Sequence, residues 1–254
     1  MFTISYIHHD GFLIETESTY LLFDYWNGAL PPLKREKPLL VFASHAHQDH
    51  FTFEALTLTA GHPDTVYVLS NDIHRKFGRG AFLKRGVTEE QYEKILFVHR
   101  DECHQIGEWE IRTLASTDQG VAFVVAERRE AAAGGDEEAS EKRPLRFYHA
   151  GDLNDWTWPG NEAAVNKKEQ DDYHRILEPL EGMAFDAAFV PCDPRQGDGY
   201  WRGVDYFMRL TDTRAVYPMH FWDDVSVISH LKADDVSEPY RDRIVPEALY
   251  EQKM

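Results

Sequence analysis

The stretch SHAHQDHF, Ser44 to Phe51, restricts the fold of this 254-residue chain more than any other segment. It places His45, His47, Asp49 and His50 within six consecutive positions, directly after the apolar run 38–43 and before a helix-forming segment at 53–56 that Gly61 closes. Strand periodicity points the His45 and His47 imidazoles to one side. The turn that follows re-aims Asp49 and His50. A strand-to-helix turn of this kind can direct the first pair at one metal ion and the second pair at a neighbour about 3.5–4 Å away. Isolated histidines usually serve packing or lie on the surface, but three in register with an aspartate point to metal ligation.

The surrounding sequence supplies the frame for such a turn. Short β-rich segments at 3–7, 12–15, 20–23, 39–44, 66–70, 95–98, 110–115 and 121–126 are separated by Gly, Asn, Asp and Pro turn signals. Several are apolar on both parities, as strands covered by helices on the outer face are. Thr88-Glu89-Glu90-Gln91 carries a capping-box pattern that starts a short helix. Tyr173, Ile176, Leu177 and Leu180 recur at helical spacing, and another helix is expected over 204–210. This mixture predicts an α/β sandwich in a single domain, 1–254. Residues 127–143, ERREAAAGGDEEASEKR, read as a mobile charged insert at a hairpin tip, because small and charged residues cannot offset their ordering entropy.

Charge and composition exclude several functional classes. A formal net charge of −17 repels phosphate backbones, so nucleic acid is a disfavoured partner. The local exception is 75–85, with five positive charges and no acid; it reads as a solvated loop face or as an anion-binding patch, the former being commoner for charge runs. No uncharged apolar stretch approaches the roughly 18 residues that span a bilayer, and MFTISYIHHDGFLIET lacks the parts of a secretion signal. A cytoplasmic protein that does not insert in membranes is expected. Cys103 and Cys192 form no framework, so both are expected to be reduced, with Cys192 a packing residue.

HxHxDH after an apolar strand resembles the signature of the metallo-β-lactamase-fold hydrolases, and three further landmarks follow the same pattern: Leu21-Leu22-Phe23-Asp24, Tyr148-His149-Ala150-Gly151-Asp152 and Ala215-Val216-Tyr217-Pro218-Met219-His220. The resemblance implies a four-layer αβ/βα sandwich, two mixed sheets covered by helices. It implies that Asp24 braces the ligand loop and that Asp152 bridges two metals. Asp49, His50, Asp152 and His220 would complete one position, and His45 and His47 the other. The opening Tyr6-Ile7-His8-His9-Asp10-Gly11-Phe12-Leu13-Ile14-Glu15 is similar to the lactonase-like branch that includes ascorbate-phosphate lactonases. One landmark differs. The family's further histidine for the first metal would fall in Thr113-Leu114-Ala115-Ser116-Thr117-Asp118-Gln119-Gly120, which has none, while His99 and His104 come too early. Asp118 is the favoured replacement; Gln119 is poorer because its amide oxygen is neutral.

The implied cofactor is one or two divalent metal ions, zinc first, with the site less selective for zinc and more open to manganese or iron if Asp118 makes it richer in oxygen. In an intact site of this family a metal-held hydroxide is the nucleophile, Asp49 and Asp152 serve catalysis, and no Ser or Cys nucleophile is needed. The chain accordingly has no GxSxG elbow or P-loop. A small ester, lactone or phosphorylated metabolite is the expected substrate. The alternative is a non-catalytic metal-binding or sensing protein, with phosphodiesterase or nuclease activity a lesser option; a homo-oligomer is left open. Trp26, Trp156, Trp158, Trp201 and Trp222 lie in loops beside the landmarks, where with Tyr200 and Phe221 they either wall a cleft or pack the loops. His149, His9 and Asp10 either assist proton transfer or, more commonly for such residues, hydrogen-bond structurally. His62, His74, His174 and His230 read as surface residues.

Overall fold

The computed structural model of the chain describes residues 1–128 and 143–251. Its first sheet runs β1 (Thr3–His8), β2 (Gly11–Glu15), β3 (Tyr20–Phe23), β4 (Leu39–Ala43), β5 (Thr65–Ser70) and β6 (Ile95–Val98) in spatial order. The pairing is antiparallel from β1 to β3 and parallel from β3 to β6. The remaining strands are β7 (Cys103–Ile106), β8 (Trp109–Ala115), β9 (Val121–Glu127), β10 (Arg146–His149), β11 (Ala184–Phe185), β12 (Ala187–Pro191), β13 (Asp212–Thr213) and β14 (Val216–Met219). Six of them form the second sheet in the order β14-β12-β10-β9-β8-β7, parallel on the β14 side; β11 and β13 make a separate two-stranded ladder.

Alternate residues of each strand serve different cores, which is why the sequence is apolar on both parities. On the first sheet Phe12, Leu21, Phe23 and Phe42 point inward to Phe123 and Phe189 of the second sheet, with Phe12 and Phe189 4.4 Å apart and Phe42 and Phe123 5.3 Å apart. Leu13, Leu22 and Val41 point outward into a cluster with Leu56, Ile73 and Phe82. These last three come from helices α1 (Phe53–Thr59) and α2 (Asn71–Lys84). After the short α3 (Glu89–Tyr92), helices α4 (Ala163–Leu177) and α5 (Arg202–Leu210) carry Tyr173, Leu177 and Phe207 into the core of the second sheet, and Phe207 stacks on Tyr148 at 4.6 Å. Helix–sheet–sheet–helix layering results. Full burial of each such Phe or Leu contributes roughly 1.5–3 kcal/mol. Two further helices, α6 (Ser226–Ala233) and α7 (Ala248–Glu251), follow.

The capping box forms as read: Gln91 N–H donates to Thr88 Oγ1, and Thr88 N–H to the Gln91 side chain. The basic stretch is helical rather than a loop. Gly78 and Gly80 hide that periodicity, and Gly78, at φ 64°, bends α2. Its cations have local partners, Arg79 on Glu89 and Glu93, Arg85 over the Phe53 ring. Helix α4 begins ten residues before Tyr173; its first turns, Ala-Ala-Val followed by Asn and Lys, are mostly exposed and carry no apolar helical spacing. The expected insert at 127–143 lies, from 129 to 142, outside the described residues; its flanking strands pair antiparallel, Arg146 opposite Ala126. Cys192 is buried, and burial pushes its thiol up; Cys103 is exposed. Among the described residues no helix is long and apolar enough to cross a membrane.

Candidate metal centre

One end of the sandwich collects the C-terminal ends of its parallel strands. Asp24 follows β3, Ser44 and His45 follow β4, Asp152 follows β10, Asp193 follows β12 and His220 follows β14. Two tight turns add to this rim: His9 and Asp10 between β1 and β2, and Thr117 to Gly120 between β8 and β9. Three non-glycine residues here, His9 (φ 53°), Asp24 (φ 40°) and His220 (φ 61°), hold left-handed backbone that costs about 1–3 kcal/mol each and persists where the surroundings enforce it.

The donor atoms form two clusters, each within 4.8 Å: His45, His47, Asp118 and Asp152, the outer, and His9, Asp10, His50 and His220, the inner. Asp152 joins them. Its Oδ2 lies 3.3 Å from His45 Nε2, while its Oδ1 lies 3.0 Å from His50 Nε2 and 3.4 Å from His220 Nε2. In the outer cluster His45 Nε2 is 2.9 Å from His47 Nδ1, which is 3.7 Å from Asp118 Oδ2. In the inner, His50 Nε2 is 3.1 Å from Asp10 Oδ2, which is 3.6 Å from His9 Nε2. Asp49 stands outside both groups, its Oδ2 3.6 Å from His9 Nε2. Gln119 lines a different hollow, shared with Asp72, Arg75 and Lys76.

Hydrogen bonds fix the imidazoles so that their free nitrogens face the clusters. Asp24 is the hub, fully buried. Its Oδ1 accepts from Ser44 N–H at 2.7 Å, and its Oδ2 accepts from Ser44 Oγ at 2.6 Å and from His50 Nδ1 at 2.8 Å. Because the Ser44 hydroxyl gives its proton to Asp24, its oxygen can accept from His45 Nδ1 at 3.0 Å. Asp193 accepts from His220 Nδ1 at 3.1 Å. Such carboxylate partners orient metal-ligating histidines and raise their basicity. His149 points elsewhere: its Nδ1 accepts from Gly151 N–H at 3.2 Å and its Nε2 donates to the Asp10 carbonyl at 2.9 Å, a structural role. Ser44 and Asp193 carried no sequence signal beyond their positions at strand ends.

The peptide between His45 and His47 is held from α2. Ala46 N–H donates to Asp72 Oδ2 at 2.9 Å, and Lys76 Nζ donates to the Ala46 carbonyl at 2.7 Å. Asp72 and Lys76, four residues apart, share one helix face. Lys76→Met keeps most of the stem but removes the donor, so unfolding free energy should drop by about 1 kcal/mol and affinity for the outer metal about tenfold. Denaturant unfolding and metal titration measure both; unchanged affinity would mean that the Ala46 clamp does not position the loop.

Electrostatics favour a cation here. Burial pushes the His45 imidazole down to about 3, with His50 adding to the effect, so it is neutral and able to ligate. Burial opposes charge on His50 as well, yet the Asp152 and Asp10 carboxylates hold it well above the usual histidine range. Against the same burial, His50 and His220 hold the Asp152 carboxyl well below its usual range, and His9, 3.6 Å away, does so for Asp49. Burial and the Asp152 charge push Asp118 up. Six buried donor atoms lack a hydrogen-bond partner: His9 Nδ1 and Nε2, both Asp10 oxygens, His50 Nε2 and Asp152 Oδ1. Orphaned atoms at this density are costly without a shared cation. Ligands bonded at about 2.0–2.2 Å stand roughly 3–3.6 Å apart. The separations given above run from 2.9 to 3.7 Å, in or within 0.1 Å of that range.

A cleft of about 420 Å³ opens over the centre, lined by His47, Asp49, Asp118, Asp152 and His220 at its base and by Trp156, Trp158, Trp222 and Arg195 among its walls. Trp156 and Trp158 stack at 5.5 Å, and the Arg195 guanidinium lies 5.7 Å from the Trp158 ring and 4.9 Å from the Trp222 ring. Arg195 Nε donates to Asp193 at 2.9 and 3.0 Å. Three of the five loop tryptophans therefore reach the cleft. Trp26 packs edge-on to His8, Trp201 packs on the core, Tyr200 donates to Asp234 and Phe221 is fully buried.

A sequence profile of the beta-lactamase superfamily domain matches residues 3–157. No curated protein matches the sequence. Solved structures share the fold. A protein named as a metal-dependent hydrolase from Parabacteroides distasonis is 15% identical over 96% of this chain and 91% of its own, with a TM-score of 0.58. A metallo hydrolase from Ignicoccus hospitalis is 15% identical over 96% and 94%, also at 0.58. A diiron β-hydroxylase from Streptomyces venezuelae is 14% identical over 86% of this chain and 44% of its own, at 0.51.

Proposed function

Because this chain belongs to the beta-lactamase superfamily, we propose that it is a cytoplasmic metal-dependent hydrolase of a small ester, lactone or phosphorylated metabolite that carries an anionic group. The observation that carries the reading is the placement of Asp152, one carboxylate oxygen toward each donor cluster, at the base of the tryptophan-walled cleft. A bound divalent ion there would lower the pKa of water from 15.7 to about 7 and polarise a carbonyl or phosphoryl oxygen. Zinc is the metal proposed. Two carboxylates in the outer cluster let manganese or iron compete. His45, His47, Asp118 and Asp152 would hold one ion; His50, His220 and Asp152 would hold the other.

The remaining cleft residues bind and orient. Asp49, held ionised beside His9, supplies at Oδ2 an acceptor for the proton of an attacking water. The tryptophans exclude water and suit a small substrate, as in the lactonase-like branch that the N-terminal segment resembles. Among the described residues Arg195 is the single Lys or Arg lining the cleft, so it receives the substrate's anion. A net charge of −17 and that lone cation disfavour a nucleic-acid substrate. The test is hydrolysis of a lactone, phosphoester and thioester panel by metal-loaded protein. Turnover of any small ester supports the reading; silence across the panel despite bound metal favours a non-catalytic metal-binding protein. With the best substrate, Arg195→Ala should raise KM about 10–100-fold, as loss of a charge-assisted hydrogen bond does, and leave a neutral analogue nearly unaffected. Equal KM changes for both analogues would remove Arg195 as the anion contact.

A further inference from the structure

We infer that the two metal positions are unequal by construction: the β1–β2 turn closes the inner one through His9 and Asp10, so that it retains its ion, while the outer one exchanges. This rests on the metal-dependent reading above. His9, Asp10, His50 and His220 converge, Asp152 Oδ1 joins them, and these five residues are at most 5% exposed. Four side chains around one point, with an Asp152 oxygen beside two of them, are enough to fill a coordination sphere. Metal positions that serve structure are closed in this way, whereas those that serve chemistry keep an opening. In the outer cluster the His47 and Asp118 side chains are 39% and 40% exposed, and their 3.7 Å separation is the longest of the outer contacts described above.

The turn is built to present these donors. His9 takes a left-handed backbone, and its N–H donates to Tyr6 Oη at 2.8 Å, while the Asp10 carbonyl receives His149 Nε2 at 2.9 Å. The backbone is satisfied and fixed. The side chains are not: both Asp10 oxygens and both His9 ring nitrogens are buried without a hydrogen-bond partner. An aspartate with no exposure and only imidazoles opposite it is placed for a cation. Occupancy of the inner position then ties β1–β2 to His50 and His220, so ion retention and fold stability are coupled.

The experiment loads wild-type protein with zinc, dialyses it against a chelator and reads metal content and thermal midpoint. Roughly one equivalent should stay and one should leave, with most of the metal-dependent stabilisation staying with the first. Asp10→Asn and His9→Gln should lose the retained equivalent, their affinity falling by more than the about 10–100-fold that an outer partner gives. Asp118→Asn should change only the labile equivalent. Loss of both equivalents together from wild type, or an Asp10→Asn protein that keeps its retained ion, overturns the inference. If the variants do not fold, anomalous scattering from zinc-loaded wild-type crystals decides: an ion bonded to the Asp10 carboxylate supports it, an ion out of bonding reach of Asp10 refutes it. Absence of any bound metal defeats the proposed function as well; equal lability of two bound ions defeats this inference alone.

Discussion

Asp152→Asn should abolish hydrolysis and strip metal from both positions, a larger loss than any other single polar substitution in the centre. The amide matches the carboxylate in shape, so the change isolates charge and donor type. One oxygen of Asp152 faces His45 and the other faces His50 and His220. An asparagine must turn its NH2 toward one of these imidazole sets, placing a donor where a lone pair is required, and it removes the negative charge that both positions share. Loss of an outer partner alone costs about 10–100-fold in affinity or activity; loss of the bridging group should exceed that at both positions. Metal analysis and turnover measure it. A variant holding two ions and hydrolysing at a tenth of the wild-type rate or better would deny Asp152 the bridging role. The same substitution at Asp49, outside both clusters, should spare metal content and lower turnover about 100-fold, in keeping with a proton-accepting role.

What the sequence disclosed about this centre follows from where each residue gets its geometry. His45, His47, Asp24, Asp152 and His220 were legible because each sits at the end of an apolar strand, and strand ends are visible in one dimension. Asp118 was legible as the acid in the right turn, and the fold places it 3.7 Å from His47. Ser44, Asp193 and the Asp72–Lys76 clamp were not, because their roles exist only after segments 20 to 30 residues apart pack together. His9 and Asp10 were noticed near the cleft, but their convergence on His50 depends on a left-handed backbone at His9, a conformation uncommon outside glycine that nothing in the sequence marks. The layering was readable from strands apolar on both parities. Helix α2 was hidden by two glycines, although it supplies the clamp on the ligand loop.

Gly120→Ala should be the most destabilising conservative change in the site. Gly120 has φ +69°, and a Cβ there would lie 1.9 Å from the Ser44 carbonyl oxygen and 2.5 Å from His45 Cβ. Neither neighbour can yield. The Ser44 carbonyl accepts from Val121 N–H at 2.9 Å, a bond that ties the end of β4 in one sheet to the start of β9 in the other. Ser44 is held again by two bonds to Asp24. The left-handed backbone costs an alanine about 1–2 kcal/mol. The overlap adds the loss of the inter-sheet bond and displacement of His45, for a total above about 4 kcal/mol, in the range that single substitutions rarely reach. At roughly 2–4 °C per kcal/mol the melting temperature should fall by about 10 °C or more. Gly107→Ala is the control: φ +55° with nothing within 4 Å of its Cβ, so only the backbone cost applies. If the two variants melt within about 2 °C of each other, close approach at Ser44 is not what fixes Gly120. If they differ as expected, and zinc titration shows the outer position weakened more than the inner, the contact between the two sheets is also what seats the first histidine of the ligand loop.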